Sequence, residues 1–153
     1  MSQPSGCPGR ALGVDLGSRR IGVAVSDDRR RVATTLTVLT RGASQAEDHA
    51  KLAGLVGEVG AKVVVVGLPL SLSGGRGPAA MVVDSELAGL RQVLDVPVVA
   101  SDERYTTRIA RRVLASGGRK RALRREVVDH MAAAAILQTW LDRERARTTG
   151  ALP

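Results

Sequence analysis

"ALGVDLGSRRIGVAVSD" (residues 11–27) decides the fold. Apolar and small residues alternate on both sides of a short "SRR" turn, which reads as two strands, 11–17 and 20–27, joined tightly. "RVATTLTVLT" (31–40) is β-branched and alternating, and adds a third strand. Links this short predict an antiparallel meander. Asp15 falls in the middle of the first strand, and a charge in an apolar strand is costly unless something pairs with it or binds it.

Beyond residue 40 the period changes. Ser44 and Glu47 form a capping box at the start of "SQAEDHAKLAGLVGEVG" (44–60), whose apolar stripe is helical and ends at Gly60. "KVVVVGLPL" (62–70) is a continuous β-branched run, the pattern of a strand covered on both faces. A loop follows at 71–77, then a helix over 78–94 with Pro78 in its first turn. "VPVVAS" (96–101) is another buried strand, "ERYTTRIARRVLAS" (103–116) a basic helix, and 117–123 a basic loop. A long final helix spans 124–147. The order βββαβαβαα predicts an α/β fold with one five-stranded mixed sheet and helices on both faces.

The chain has 153 residues, of which 44% are hydrophobic and 25% charged, an ordinary globular balance that suits one domain. Residues 1–9 read as a loose leader, 10–143 as the domain and 144–153 as a polar tail. No apolar run reaches bilayer length and no signal peptide is legible, so a cytoplasmic location away from membranes is expected. Cys7 stands alone, which rules out an internal disulfide or a thiolate zinc site. The net charge is +8. Nine Lys or Arg residues and no acids lie between Arg104 and Arg125, a one-sidedness that favours an anionic partner, most simply nucleic acid. With one Tyr, one Trp and no Phe, base stacking is scarce, and recognition must rest on phosphates and shape.

Three acids fall at places where chemistry gathers. Asp15 is on the first strand. Glu103, beside Asp102, follows the last strand, at the carboxyl end where open α/β sheets bind ligands. Asp129 heads an apolar stripe of the final helix that continues through Ala132 or Ala133, Ile136 and Trp140. Each has a plainer reading: Asp15 as a turn cap or a partner of Arg19 or Arg20, Asp102 or Glu103 as a helix N-cap, Asp129 as a partner of Arg125. Brought together, the three would repel unless a cation sat among them. Mg²⁺ accepts carboxylate and phosphate oxygens, and two such ions about 4 Å apart promote phosphodiester hydrolysis. His49 and His130 read as structural, Asp27 and Asp28 as turn residues, and "RRR" (29–31) as a solvated turn. "GGRGP" (74–78) lacks the Lys-Ser/Thr of a P-loop.

"GVDLGSRRIGVAVSD", "VVVVGLPLSLSGG", "SDERYTTRIARRVL" and "REVVDHMAAAAILQTWLD" together resemble the YqgF (RuvX) family, over about residues 10–143. That family is described as Holliday-junction resolvases and as pre-16S rRNA nucleases. The resemblance implies a ribonuclease H-like fold and a divalent-metal site, with Asp15, Glu103 and Asp129 as catalytic and metal-holding acids for Mg²⁺ or Mn²⁺, two ions when substrate is bound. Asp15 would bridge the ions. Arg104, Thr106 and Thr107 would lie near the scissile phosphate, and Arg119, Lys120 and Arg121 would carry the substrate backbone. A fourth carboxylate, found in the related RuvC resolvases on the final helix, has no clear counterpart; His130 and Met131 follow Asp129 instead.

The function expected from this is processing of the 5′ end of pre-16S rRNA during ribosome maturation. The partner would be a structured rRNA precursor, with possible ribosome association and a monomer or weak homodimer as the working unit. The first alternative is a resolvase of branched DNA, which needs a two-fold dimer for paired cuts. The second is a non-catalytic nucleic-acid-binding module, against which the intact acids speak. "GVDLGSRRIGVAV" is also similar to the phosphate loop of actin-like ATPases, but those need two such domains.

Overall fold

The opening stretch forms the expected hairpin. Strand β1 (Arg10–Leu16) runs antiparallel to β2 (Arg20–Ser26), with Leu12 opposite Val25 and Asp15 opposite Gly22. The computed structural model describes residues 7–68, 78–102 and 121–149. The remaining described elements are β3 (Ala33–Thr40), α1 (Gln45–Val59), β4 (Ala61–Leu68), α2 (Pro78–Val93), β5 (Val98–Asp102) and α3 (Arg121–Thr149). The basic helix expected over 103–116, the "GGRG" segment (74–77) and residues 117–120 lie outside the described residues.

The five strands make one mixed sheet in the order β3-β2-β1-β4-β5. The meander supplies the antiparallel half, while β1, β4 and β5 run parallel. The continuous apolar run of β4 fits its place between β1 and β5, covered on both faces. Strand β5 begins two residues later than expected. Pro97 has no N–H to give a ladder, and its carbonyl instead accepts from Val64 N at 2.9 Å.

The caps follow the sequence closely. Ser44 Oγ accepts from Glu47 N at 3.2 Å, and Gly60 closes α1 in the left-handed conformation at φ 68°. The Glu47 carboxylate reaches one residue past the cap, to Ala43 N at 2.8 Å. Helix α3 starts three residues earlier than expected, because Arg121, Ala122 and Leu123 are good helix formers and continue it.

Strand alternation divides the core. Leu12, Val14, Ile21, Val23, Val64 and Val66 face α1 and α2, where they meet Leu52, Leu87 and Leu90. On the other side Ala11, Ala24, Val63 and Val65 meet Ala133, Ile136, Leu137 and Leu141 of α3. The α3 face of the sheet carries smaller side chains, so one helix can lie close to it. The closest approach is at Gly13, where a Cβ would stand 2.6 Å from Leu137 Cβ and 3.0 Å from the Ala133 carbonyl.

Further along α3, Gln138 accepts from Ala33 N at 2.8 Å and donates to the Arg31 carbonyl at 3.0 Å. The carboxyl half of α3 therefore lies over the β2–β3 turn, and its amino half runs toward the carboxyl end of β1. A side chain at position 13 would push the helix out, and overpacking of this kind costs about 1–3 kcal/mol. Gly13→Ala should lower the melting temperature by about 2–4 °C per kcal/mol lost, as read by circular dichroism. A melting temperature equal to wild type would show that the helix does not rest on this strand.

Candidate active site

The parallel strands end together at one edge of the sheet, and Asp15 is there. It is the next-to-last residue of β1 rather than the middle of the strand, and it is half-buried. By alternation it follows Ala11 and Gly13 on the α3 face. Its neighbours across the sheet are all small. Gly22 of β2 pairs with it directly. The β1–β4 register, carried one step past Val14–Val66, puts Gly67 on the other side, and Gly67 pairs with Ser101 of β5. Ser101 is buried. The stretch Gly22–Asp15–Gly67–Ser101 therefore carries a single carboxylate among small residues.

Helix α3 passes over this edge. Ala133 contacts the sheet at Gly13, and Asp129 is one helical turn before Ala133, on the third turn of α3. Antiparallel passage over β1 carries that turn toward Asp15. The Asp129 side chain, Glu103, Arg104, Thr106, Thr107, Arg119 and Lys120 lie outside the described residues, as do the side chains of Asp102 and Arg121. Among the described residues no three His, Cys, Asp or Glu side chains gather in a metal-holding group. The donor chemistry at this edge, carboxylate and hydroxyl oxygen, suits a hard divalent cation.

The turn after Asp15 is held from below by a buried ion network that the sequence reading missed. Gly17 N donates back to the Asp15 carbonyl at 3.1 Å. Gly17 is needed there, since a Cβ would stand 2.5 Å from the Arg20 carbonyl. Arg41 Nε donates to the Gly17 carbonyl at 3.0 Å. The same guanidinium grips Glu86 of α2 with both terminal nitrogens and Asp48 of α1 at 3.2 Å. His49 Nε2 completes the group at 3.1 Å from Glu86, so its role is structural, as the sequence suggested. Glu86 is 1% exposed and Asp48 3%.

Burial works against both charges, yet both carboxyls are held below their ordinary range. For Glu86 the Arg41 hydrogen bonds and charge outweigh the burial, with help from His49. For Asp48 the Gly42 N–H and Arg41 do so. A signal for this group exists in the sequence: Asp48, His49 and Glu86 occupy positions on the apolar stripes of their helices, where a charge needs a partner.

Comparison with known proteins bears on the family and the fold. A family model described as "RuvX: Holliday junction resolvase" matches residues 9–143. A protein of Cereibacter sphaeroides named "Putative pre-16S rRNA nuclease" is 41% identical over 143 residues, covering 90% of this chain and 89% of its own. Proteins of the same name from Mycolicibacterium paratuberculosis and Chloroflexus aggregans are 44% and 42% identical, over 92% and 88% of this chain and 84% and 94% of theirs. Among solved structures, Thermus thermophilus RuvC in complex with a Holliday junction superposes with a TM-score of 0.56 at 16% identity, covering 93% of this chain and 96% of that one. RuvC shares the ribonuclease H-like architecture, so the expected fold class stands.

The network gives a pH-dependent prediction. Its acids have lowered folded-state pKa values, so they stabilise the fold above the unfolded carboxylate range of about 4, and that contribution fades as pH falls through the folded values. Arg41→Met leaves two buried carboxylates uncompensated, a loss of about 3–5 kcal/mol. Urea unfolding should show this gap at pH 7 and a smaller gap near pH 3, where the acids protonate in the variant. A gap that is constant with pH would mean that the ion pairs do not hold the turn.

Proposed function

Because the chain belongs to the RuvX family, we propose that it is a divalent-metal-dependent endonuclease that hydrolyses phosphodiester bonds in a structured rRNA precursor, trimming the 5′ end of pre-16S rRNA in the cytoplasm. The observation that carries this reading is the half-buried Asp15 carboxylate at the carboxyl edge of the parallel strands, flanked by Gly22, Gly67 and Ser101. The two positions that flank Asp15 across the sheet are both glycines, which leaves room beside the carboxylate for a ligand. The net charge of +8 and the curated relatives' shared name favour an RNA substrate. No helix among the described residues is long and apolar enough to cross a membrane.

Asp15, Glu103 and Asp129 would hold Mg²⁺ or Mn²⁺. When bound, such ions activate a water for attack on phosphorus and steady the charge on the leaving oxygen. The rest is the work of this chain's own side chains. Arg104, Thr106 and Thr107 orient the scissile phosphate by donating hydrogen bonds to its oxygens. Arg119, Lys120 and Arg121 hold the flanking backbone. Arg41, through the Gly17 carbonyl, fixes the turn that follows Asp15 and so fixes where its carboxylate stands. The balance is that of hydrolysis: one P–O bond forms from water, one breaks, and the leaving oxygen takes a proton.

The RuvC neighbour supports a second reading, cleavage of a four-way DNA junction. That reaction requires a two-fold pair of sites, whereas trimming an RNA end requires one. Offering a pre-16S rRNA fragment and a four-way junction to the same preparation distinguishes them. Cleavage of RNA by a monomer is the expected result, and junction cleavage by a dimer with RNA left intact would favour the resolvase.

Asp15→Asn tests the shared chemistry. Loss of one charge-stabilising group costs on the order of 10²–10³-fold in rate, so turnover should collapse while RNA affinity stays within a fewfold of wild type. Equal cleavage by Asp15→Asn and by metal-free wild type would overturn the nuclease reading and leave a binding module.

A further inference from the structure

The end of the molecule opposite Asp15 carries a second basic surface, and its construction differs from that of a solvated turn. The turn between β2 and β3 is fixed at every joint. Asp27 Oδ1 accepts from Arg31 N at 2.7 Å and from Val32 N at 3.1 Å. Arg30 has a left-handed backbone, φ 56°. Its side chain turns inward, donating from Nε to the Gly9 carbonyl at 2.8 Å and from a terminal nitrogen to the Pro8 carbonyl at 3.2 Å. Its guanidinium lies 5.6 Å from the centre of the Trp140 ring. With Arg30 anchored inside, its neighbours Arg29 and Arg31 are presented to solvent. Gln138 locks the same turn to α3 through Ala33 N and the Arg31 carbonyl, and the exposed Arg143 comes from the next turns of that helix.

The acids at this end are already engaged. Asp28 pairs with Arg10, Asp142 with Arg145 and Glu144 with Arg147, while Asp27 holds the turn backbone. Among the described residues, no ion pair involves Arg29, Arg31 or Arg143. Arg29 and Arg31 leave one turn, and Arg143 lies on the helix that Gln138 bonds to that turn; exposed guanidinium groups gathered at one end of a fold favour an anionic partner. Planar guanidinium groups suit phosphate oxygens.

We propose that Arg29, Arg31 and Arg143 form a distal site for the backbone of an RNA stem, engaged when the same stem is seated at Asp15. The inference rests on the nuclease reading and adds a minimum substrate length to it. From Asp15 back to Arg10 is about 17 Å along the strand, and the turn lies at that end of the sheet. This is the length of about six base-pair steps of an A-form RNA stem, which rises about 2.8 Å per pair. A stem shorter than that cannot reach from the catalytic edge to the distal arginines, and a longer one can.

The test is equilibrium RNA binding without divalent ions, using hairpins with stems of about four and about sixteen base pairs. The triple variant Arg29→Ala, Arg31→Ala, Arg143→Ala is compared with wild type. All three side chains are exposed, and an unchanged melting temperature confirms the fold. The variant should bind the long stem about tenfold more weakly, with a salt dependence shallower by about two to three phosphate contacts. The short stem should bind both proteins within twofold. Unchanged affinity for the long stem, or an equal loss on both stems, would overturn the distal site while leaving the nuclease reading intact. A loss on a DNA stem of equal length with none on RNA would overturn the choice of RNA. Failure of wild type to bind either RNA, together with failure to cut RNA when Mg²⁺ is added, would overturn the nuclease reading itself and the distal site with it.

Discussion

The close contact of α3 with β1 at Gly13 is the constraint on which the rest depends. Only a residue without a side chain lets Leu137 and the Ala133 backbone come down onto the sheet. That contact fixes the depth of the helix and, with Gln138 bonded to the β2–β3 turn, its direction. One turn before it lies Asp129, and two residues along the strand from it lies Asp15. The register that packs the core is thus the register that carries one acid toward the other. Downstream, the same helix braces the arginine-bearing turn at the far pole. Core packing, the edge that carries Asp15 and the arginine-bearing turn all depend on one interface.

The second constraint is electrostatic. Asp15 stands at the end of a strand whose turn could move, since a hairpin end has few apolar contacts. Arg41 removes that freedom. It draws its strength from Glu86 and Asp48, two carboxylates buried deeply enough that losing the guanidinium would cost more than an exposed pair ever returns. The network ties α1 and α2 to the turn, so both helices on one face of the sheet support the strand end that carries Asp15 on the other.

Local patterns carried most of the fold in the sequence. The β-branched run of β4, the alternation of β1 and β2, Ser44 with Glu47 and Pro78 each specify structure within a few residues, and the elements formed there. Boundaries drifted where tertiary bonding decides them, as at Pro97, whose carbonyl joins β4 although its nitrogen cannot. Asp15 stood out in the sequence because a carboxylate among Val, Leu and Gly needs a partner or a ligand. The Arg41–Asp48–Glu86 group was missed: Asp48 and Glu86 sit on the apolar stripes of their helices, but nothing local pairs Arg41 with Glu86, which lies 45 residues away. Gly67 was legible as the glycine that ends a strand in "GLP" (67–69), but its alignment with Gly22 and Ser101 was not. Their significance is that they fall in one row across four strands, which is a property of register and not of any motif.

The most direct measurement is anomalous diffraction from crystals of the wild-type protein grown with Mn²⁺. The account predicts a metal peak about 2.1 Å from an Asp15 carboxylate oxygen, with Asp129 and Glu103 oxygens in its coordination shell. A peak elsewhere, or an Asp15 carboxylate turned away from Asp129 with no ion between them at saturating metal, would contradict it.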